Sequence, residues 1–405
     1  MPSSLQEFEM TIPIIAKQID ADGQFPNQNR RLRLGIVGGG RISLIQSMAA
    51  RLTNRWEIVA GALSADPKKS ITRAQEILIQ EDRCYSSFEK MAELEAQRHD
   101  GIDAVMITTP NDLHYSVACS FLNQGIDVMC DKPMTNEVSE AEELVKLTSK
   151  NSLIFAVGYI MSCFPMIRQA RQIVKDEGIG QVKQIHVEFL QDWMIPASSV
   201  EADHVRWRLD PSRTGKTSCI GDIGTHAAHL VSFVTGMKLT HLLVEAHVCG
   251  APKPLEDTAF MFTRHADKIP GTLLITRLAT GNRAGLRLRV FGSQGGLEWN
   301  LEKPEQLQFN CYGKPDQIIS RGQGHGVSQR TERLIRTARG FSEGIIEAWA
   351  NLYTEFALAV AARRDGIDIP SDWLEFPDVN QGAEGVRFVD ASVRSISSAG
   401  KWVEL

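Results

Sequence analysis

Three things are missing from this 405-residue sequence, and each removes a class of function. The first is an excess of basic charge. Lys and Arg total 44 against 49 Asp and Glu, a net charge of −5, so no electrostatic footprint for nucleic acid and no polybasic membrane patch is expected. The second is a long apolar run. The longest, such as 153–157 and 242–244, are core-strand lengths, far too short to span a bilayer. The third is paired cysteine. The seven cysteines (84, 119, 130, 163, 219, 249 and 311) are odd in number, scattered, and form no C-x-x-C. They read as buried free thiols in a reducing compartment. Residues 1–30 also lack a basic segment followed by an apolar one and carry Glu7, Glu9, Asp20 and Asp22. They read as an N-terminal extension, not a secretory or transit peptide, and a soluble, cytoplasmic protein is expected.

What is present is alternation. Length alone makes two domains the default. From Arg33, apolar strands expected at 34–37, 58–62, 104–107, 126–130 and 153–157 alternate with helices near 42–52, 87–97, 113–123 and 139–147. The last helix is expected to open on the capping box Ser139-Glu140-Ala141-Glu142. This pattern predicts a doubly wound parallel sheet covered on both faces, spanning 31–160. Beyond 160 a helix at 165–176 and a long strand at 182–190 precede strand-like runs at 242–248, 258–262, 272–278, 286–291 and 296–299. Consecutive strands without intervening helices predict a large, open, mostly antiparallel sheet in a second α/β domain, 161–405. Residues 313–338 read as a long loop, followed by helices at 345–362 and 381–397; no internal repeat is evident.

Gly38-Gly39-Gly40-Arg41-Ile42-Ser43 joins a strand to a helix, the context a dinucleotide fingerprint requires. Gly38 would make the tight turn, Gly40 would admit the pyrophosphate, and the helix N-terminus would hold the anion. Ser43 replaces the third glycine. The second strand tip, where a carboxylate normally holds the ribose, reads Leu63-Ser64, with Asp66 two residues further and Lys68 and Lys69 nearby. NAD and NADP both stay open. Thr109-Pro110-Asn111-Asp112-Leu113-His114 ends the third strand; helix capping by Asn111 is the simplest reading, with His114 facing the crevice.

Asp131-Lys132-Pro133 closes the fourth strand. A lysine at the carboxyl end of a buried strand is costly unless its charge is used, and ligands bind at that end of open α/β sheets. Asp222 and His226 are four apart and share a helix face, which His229 continues. Three readings compete. In a dehydrogenase, His226 takes a hydroxyl proton, Asp222 orients it and Lys132 stabilises the alkoxide. In a metalloprotein, Asp222, His226 and His229 are ligands. In the plainest case they line a domain interface. Lys132 fits the first and would repel a cation in the second, so no metal is expected. Trp207-Arg208-Leu209-Asp210-Pro211 reads as a loop able to reach over the crevice, its Trp and Arg suited to a hydroxylated ring, or as a surface loop pinned by Trp207.

Together these motifs resemble the glucose–fructose oxidoreductase / inositol dehydrogenase / rhizopine-catabolism (Gfo/Idh/MocA) family. The matching signatures are G-x-G-x-I (Gly38 to Ile42), T-P-N-x-x-H (Thr109 to His114), E-K-P (here Asp131 to Pro133), G-D-x-G-x-H (Gly221 to His226), the Trp-Arg-x-Asp-Pro loop and the helix start Glu343 to Ala348. The resemblance runs from about Arg33 to the C-terminus. It implies an NAD(P)-dependent oxidoreductase, closest in look to dehydrogenases of sugars and cyclic polyols, including levoglucosan- and scyllo-inositol-oxidising members. Catalytic roles are implied for Lys132, Asp222 and His226. Cofactor contacts are implied for Gly38, Gly40, Arg41, Ile42, Ser64, Thr109, Pro110, Asn111, His114, Asp131 and Lys132, and substrate contacts for Lys132, Tyr159, Trp207, Arg208, Asp222, His226 and His229. The open sheet is implied to make a homodimer or homotetramer. Two positions depart from the family pattern: Tyr159-Ile160-Met161 stands where His/Tyr and Asn are common, and His229 stands where aspartate is usual. The alternative is a family member that keeps dinucleotide binding as a regulator without catalysis.

Overall fold

Each apolar run of the first half becomes a strand of one parallel sheet. The strands are β1 (Leu32–Val37), β2 (Trp56–Ala62), β3 (Ala104–Ile107), β4 (Asp127–Cys130) and β5 (Phe155–Val157), in the order β2-β1-β3-β4-β5. The structure, a computed structural model, describes residues 30–196, 203–322, 327–369 and 373–405, so all of the expected N-terminal extension except Arg30 lies outside it. Every residue of β3 and β4 is buried. That two-sided burial is why these strands read as continuous apolar runs and not as alternating ones. Helices α1 (Arg41–Leu52), α2 (Pro67–Glu76), α3 (Phe88–Gln97), α4 (His114–Leu122) and α5 (Val138–Lys150) make the crossovers. Because β1 pairs with both β2 and β3, the strand order reverses beside it and leaves a crevice at the carboxyl ends. The cap of α5 differs from expectation: it lies at Glu137, whose backbone N–H donates to the Glu140 carboxylate at 3.4 Å. The helix thus begins at Val138, one residue before Ser139.

The second half opens with α6 (Pro165–Lys175), β6 (Val182–Leu190), α7 (Asp203–Leu209), α8 (Pro211–Thr214) and α9 (Thr225–Thr235). The strands β7 (Leu239–His247), β8 (Thr258–His265), β9 (Pro270–Thr276), β10 (Gly285–Gly292), β11 (Gly295–Asn300), β12 (Gln306–Cys311) and β13 (Gln317–Ser320) follow. Helices α10 (Gln329–Glu332), α11 (Ile345–Asp365) and α12 (Val379–Ser397) lead to β14 (Val403–Glu404). With β6 the strands form a nine-stranded sheet, β13-β12-β11-β10-β6-β9-β8-β7-β14, in which β6 and β9 pair in parallel and the other paired strands are antiparallel. Three of these strands, β12, β13 and β14, were not legible as strands. Gln, Asn and Cys obscure the alternation of β12, and β13 falls inside the expected loop 313–338, which also holds α10. Trp207 and Arg208 likewise lie on the short helix α7 and not in a loop.

The chain returns to the first sheet at its end. Trp56, buried on β2, stacks on Phe356 at a centroid separation of 5.3 Å and donates its indole N–H to the Tyr353 carbonyl at 2.9 Å. Side chains of this size stabilise by roughly 1.5–3 kcal/mol when buried, so α11 ties the nine-stranded half to the dinucleotide-type half. No helix among the described residues is long and apolar enough to cross a membrane.

Candidate active site

The glycine turn at the end of β1 is held by shape. Gly38 has φ +105°, a left-handed conformation that favours glycine, and a Cβ there would sit 2.8 Å from the Thr108 carbonyl. At Gly39 a Cβ would lie 2.5 Å from the Leu63 oxygen, a constraint that sequence reading passed over. At Gly40 it would meet nothing within 4 Å. Gly40 caps α1, with no side-chain hydrogen bond to the cap and no acidic residue in the first turn, which Arg41 and Ile42 open. The space and the undisguised helix N-terminus fit a pyrophosphate. Ser43 is buried and donates to the Gly40 carbonyl at 2.6 Å, so the third-glycine position packs as expected. At the β2 tip the Ser64 hydroxyl accepts the Asp66 N–H at 3.1 Å, and Asp66 is spent capping α2 through Lys68 and Lys69.

The T-P-N-x-x-H segment divides into structural and open parts. Asn111 is buried and donates to the Thr214 carbonyl at 3.0 Å, bridging to α8, so its expected role as a simple cap is replaced by a tie between the two halves. His114 is 1% exposed, and its ring nitrogens contact the Pro133 and Thr109 carbonyls at 2.8 and 2.9 Å. It therefore ties the ends of β3 and β4 together. Thr109 and Pro110 remain partly exposed at the β3 end, directly after Thr108, which packs against Gly38. Asp131 accepts the Lys132 N–H at 2.8 Å.

Lys132 reaches across to the second half, donating to the Asp222 carbonyl at 2.7 Å and to Asp222 Oδ1 at 2.6 Å. Asp222 lies in a π-helical turn, Ile220–Gly224, that runs into α9. The wider turn breaks the four-residue spacing assumed for a plain helix. Its second oxygen, Oδ2, accepts from Arg277 Nη2 at 2.6 Å. No hydrogen bond joins Asp222 to His226 among the described residues, so the expected orienting contact is corrected: the Asp222 effect on His226 is electrostatic. Glu256 staples the turn, accepting the N–H groups of Ser218 and Ile220 at 2.9 Å. Neither Glu256 nor Arg277 was picked out from sequence. Arg277 carried a signal, a lone cation closing an apolar strand as Lys132 does, but the expected strand 272–278 absorbed it.

Burial alone would raise the Asp222 carboxyl. The cations of Lys132, Arg277 and Arg208 outweigh it and hold the group well below the carboxylate range. His226 is pushed well below the usual histidine value, first by burial and then by Lys132, with Asp222 opposing and His229 adding. The neutral imidazole is thus the resting form at neutral pH. His229 is driven down to about 3, chiefly by burial, with Gln381 opposing and Arg168 and Arg171 adding.

Tyr159 is fully buried and stacks on His229 at 4.5 Å, meets His226 edge-on at 5.8 Å, and points its hydroxyl at Gly385, where a Cβ would come within 2.0 Å. It packs against both imidazoles. The Arg208 guanidinium lies 4.3 Å from the Trp207 ring centroid, and its charge reaches Asp222. With both oxygens of Asp222 held by cations, the arrangement suits anion stabilisation and not the ligand set of the metal reading.

Comparison with known proteins agrees with this architecture. Residues 32–159 match the model of an oxidoreductase family with an NAD-binding Rossmann fold, and 167–298 match the GFO/IDH/MocA C-terminal domain. An uncharacterized oxidoreductase of Bacillus subtilis, YfiI, is 31% identical over 93% of this chain and 97% of its own length. The crystal structure of an inositol dehydrogenase homolog from Azotobacter vinelandii with NAD+ is 30% identical, covers 96% of this chain and 100% of its own, and superposes with a TM-score of 0.88. Its complex with NADH and myo-inositol gives 30% identity, coverage of 93% and 98%, and a TM-score of 0.85. The chain belongs to the Gfo/Idh/MocA family of NAD(P)-dependent oxidoreductases.

Proposed function

We propose that this chain is a dehydrogenase that interconverts a ring hydroxyl and a ring carbonyl on a cyclic polyol or sugar. The observation that carries the reading is the Lys132–Asp222 ion pair at 2.6 Å, bridging the two halves at the carboxyl end of β4. The bound nicotinamide supplies a hydride acceptor for oxidation and a donor for reduction. Gly38 to Ile42, with Ser64, Thr109 and Pro110, would hold the dinucleotide. Lys132 would donate a hydrogen bond to the substrate oxygen and stabilise its negative charge as the proton leaves. His226, neutral and nearby, would take that proton. Asp222 keeps Lys132 in place, while Trp207 and Arg208 offer a stacking face and a charged fork to a hydroxylated ring. The myo-inositol complex of the Azotobacter vinelandii relative supports inositols as the first substrates to try. Retention of Lys132, Asp222 and His226 together weighs against a purely regulatory role. A panel of inositols, aldoses and anhydrosugars with NAD and NADP, read at the nicotinamide absorbance, should show turnover with a cyclic polyol; turnover only with unrelated alcohols would overturn the substrate class.

The bare β2 tip yields a cofactor prediction. With Asp66 occupied by α2, no carboxylate at Ser64 opposes a 2′-phosphate. Ser64→Asp should therefore raise the Kd for NADP by roughly tenfold or more while changing that for NAD far less. Equal changes, measured by dinucleotide titration, would mean that the ribose sits elsewhere.

A further inference from the structure

Arg277 stands at the end of β9, fully buried, 0% exposed. A guanidinium in that setting is expensive without partners, and its contacts converge on the π-helical turn. Nη2 donates to Asp222 Oδ2 at 2.6 Å and to the Ser218 carbonyl at 3.3 Å, and Nη1 donates to Ser218 Oγ at 2.7 Å. The indole of Trp193 lies 5.3 Å from the guanidinium carbon. Glu256 is close enough to feel the charge, but its oxygens accept the Ser218 and Ile220 amides. Asp222 is the carboxylate that Arg277 hydrogen-bonds among the described residues.

The turn needs this grip. A π-helical turn is a rare local departure from the α-helix, and the two oxygens of Asp222 are each held from outside it, Oδ1 by Lys132 and Oδ2 by Arg277. Held at Oδ2, it can present only Oδ1 to Lys132. A single carboxylate then answers two cations, so the Lys132 charge is not cancelled by its own partner.

We propose that Arg277 is a positioning residue of the active site: by occupying Asp222 Oδ2 it fixes the aspartate and leaves Lys132 with uncompensated positive charge to offer the substrate oxygen. This rests on the dehydrogenase reading above. Arg277 touches neither substrate nor His226 in this account and acts through Asp222. The groups that face His226 are Lys132, Asp222, His229 and Tyr159, with Arg277 and Arg208 behind Asp222.

The test separates charge from scaffolding. In Arg277→Gln, hydrogen-bond donors remain but the charge is lost. Asp222 then neutralises Lys132 more fully and its pull on His226 is less opposed. Turnover should fall roughly tenfold or more, and the ascending limb of the oxidation rate should move up by about one pH unit. NAD affinity should be unchanged. Arg277→Lys keeps the charge and should leave the limb where the wild type has it, with turnover between those of the wild type and the Gln variant. A scaffolding residue would instead lower the active fraction of both variants without moving the limb. An unmoved limb in the Gln variant, or a limb moved equally in both, overturns the proposal. Should the Gln variant not fold, Arg277→Met takes its place: a raised limb supports the proposal and an unmoved one overturns it. If His226→Ala has the wild-type profile, the limb does not report His226, and the assignment of His226 as proton acceptor fails instead of this one.

Discussion

Replacing Lys132 with Met is expected to lower turnover by roughly a hundredfold or more while leaving the Kd for NAD within a small factor. Lys132 is the cation at the β4 end that bonds both the carbonyl and the carboxylate of Asp222. Met matches its length and apolar stem but removes the charge, and with it the stabilisation of a developing alkoxide. Two costs could be confused with that loss. Asp222 would keep Arg277 on Oδ2, so it is not left as an unpaired buried charge, and the fold should survive. The dinucleotide would still meet the glycine turn and the α1 N-terminus. Steady-state rates beside dinucleotide titration make the check; near wild-type turnover would remove Lys132 from the chemistry.

The second large effect is expected at His226. Oxidation needs the imidazole neutral to accept a proton, so the rate should rise with pH through its apparent pKa. Burial and Lys132 push that value down and Asp222 only partly offsets them, so the ascending limb should lie below the ordinary histidine value of about 6.5. Because these groups interact, the midpoint belongs to the cluster. His226→Ala should abolish the limb and lower the oxidation rate roughly a hundredfold, yet retain dinucleotide binding, since His226 lies in the other half of the molecule. A limb centred well above 6.5 in the wild type would mean that the lysine and burial do not dominate. An unchanged profile in the variant would transfer the proton to another acceptor.

How much of this was legible in residues follows from what each signal depends on. The parallel sheet was readable because burial on both faces writes an uninterrupted apolar run, as in β3 and β4. Lys132 stood out because a charge at such a run's end has to be used. The edge of the second sheet was not readable: β13 (Gln317–Ser320) is four residues long and half exposed, so packing leaves little pattern in it. The Asp222–His226 pair was misjudged in a more instructive way. Four-residue spacing means a shared face only in an α-helix, and the π-helical turn is set by Glu256 and Arg277, which lie more than thirty residues downstream. Motif position says nothing about which way a ring packs: His114 lies against the Pro133 and Thr109 carbonyls, and Tyr159 against the two imidazoles.

The measurement closest to the central claim follows the hydrogen itself. The best cyclic substrate from the panel, deuterated at the carbon that bears the reacting hydroxyl, would be mixed with the enzyme and NAD for a single turnover. The nicotinamide product is then isolated and its label read by mass. Direct transfer between substrate and nicotinamide predicts one deuterium per reduced cofactor, with none released to water. A reduced cofactor without label, or label recovered in solvent, would contradict the account.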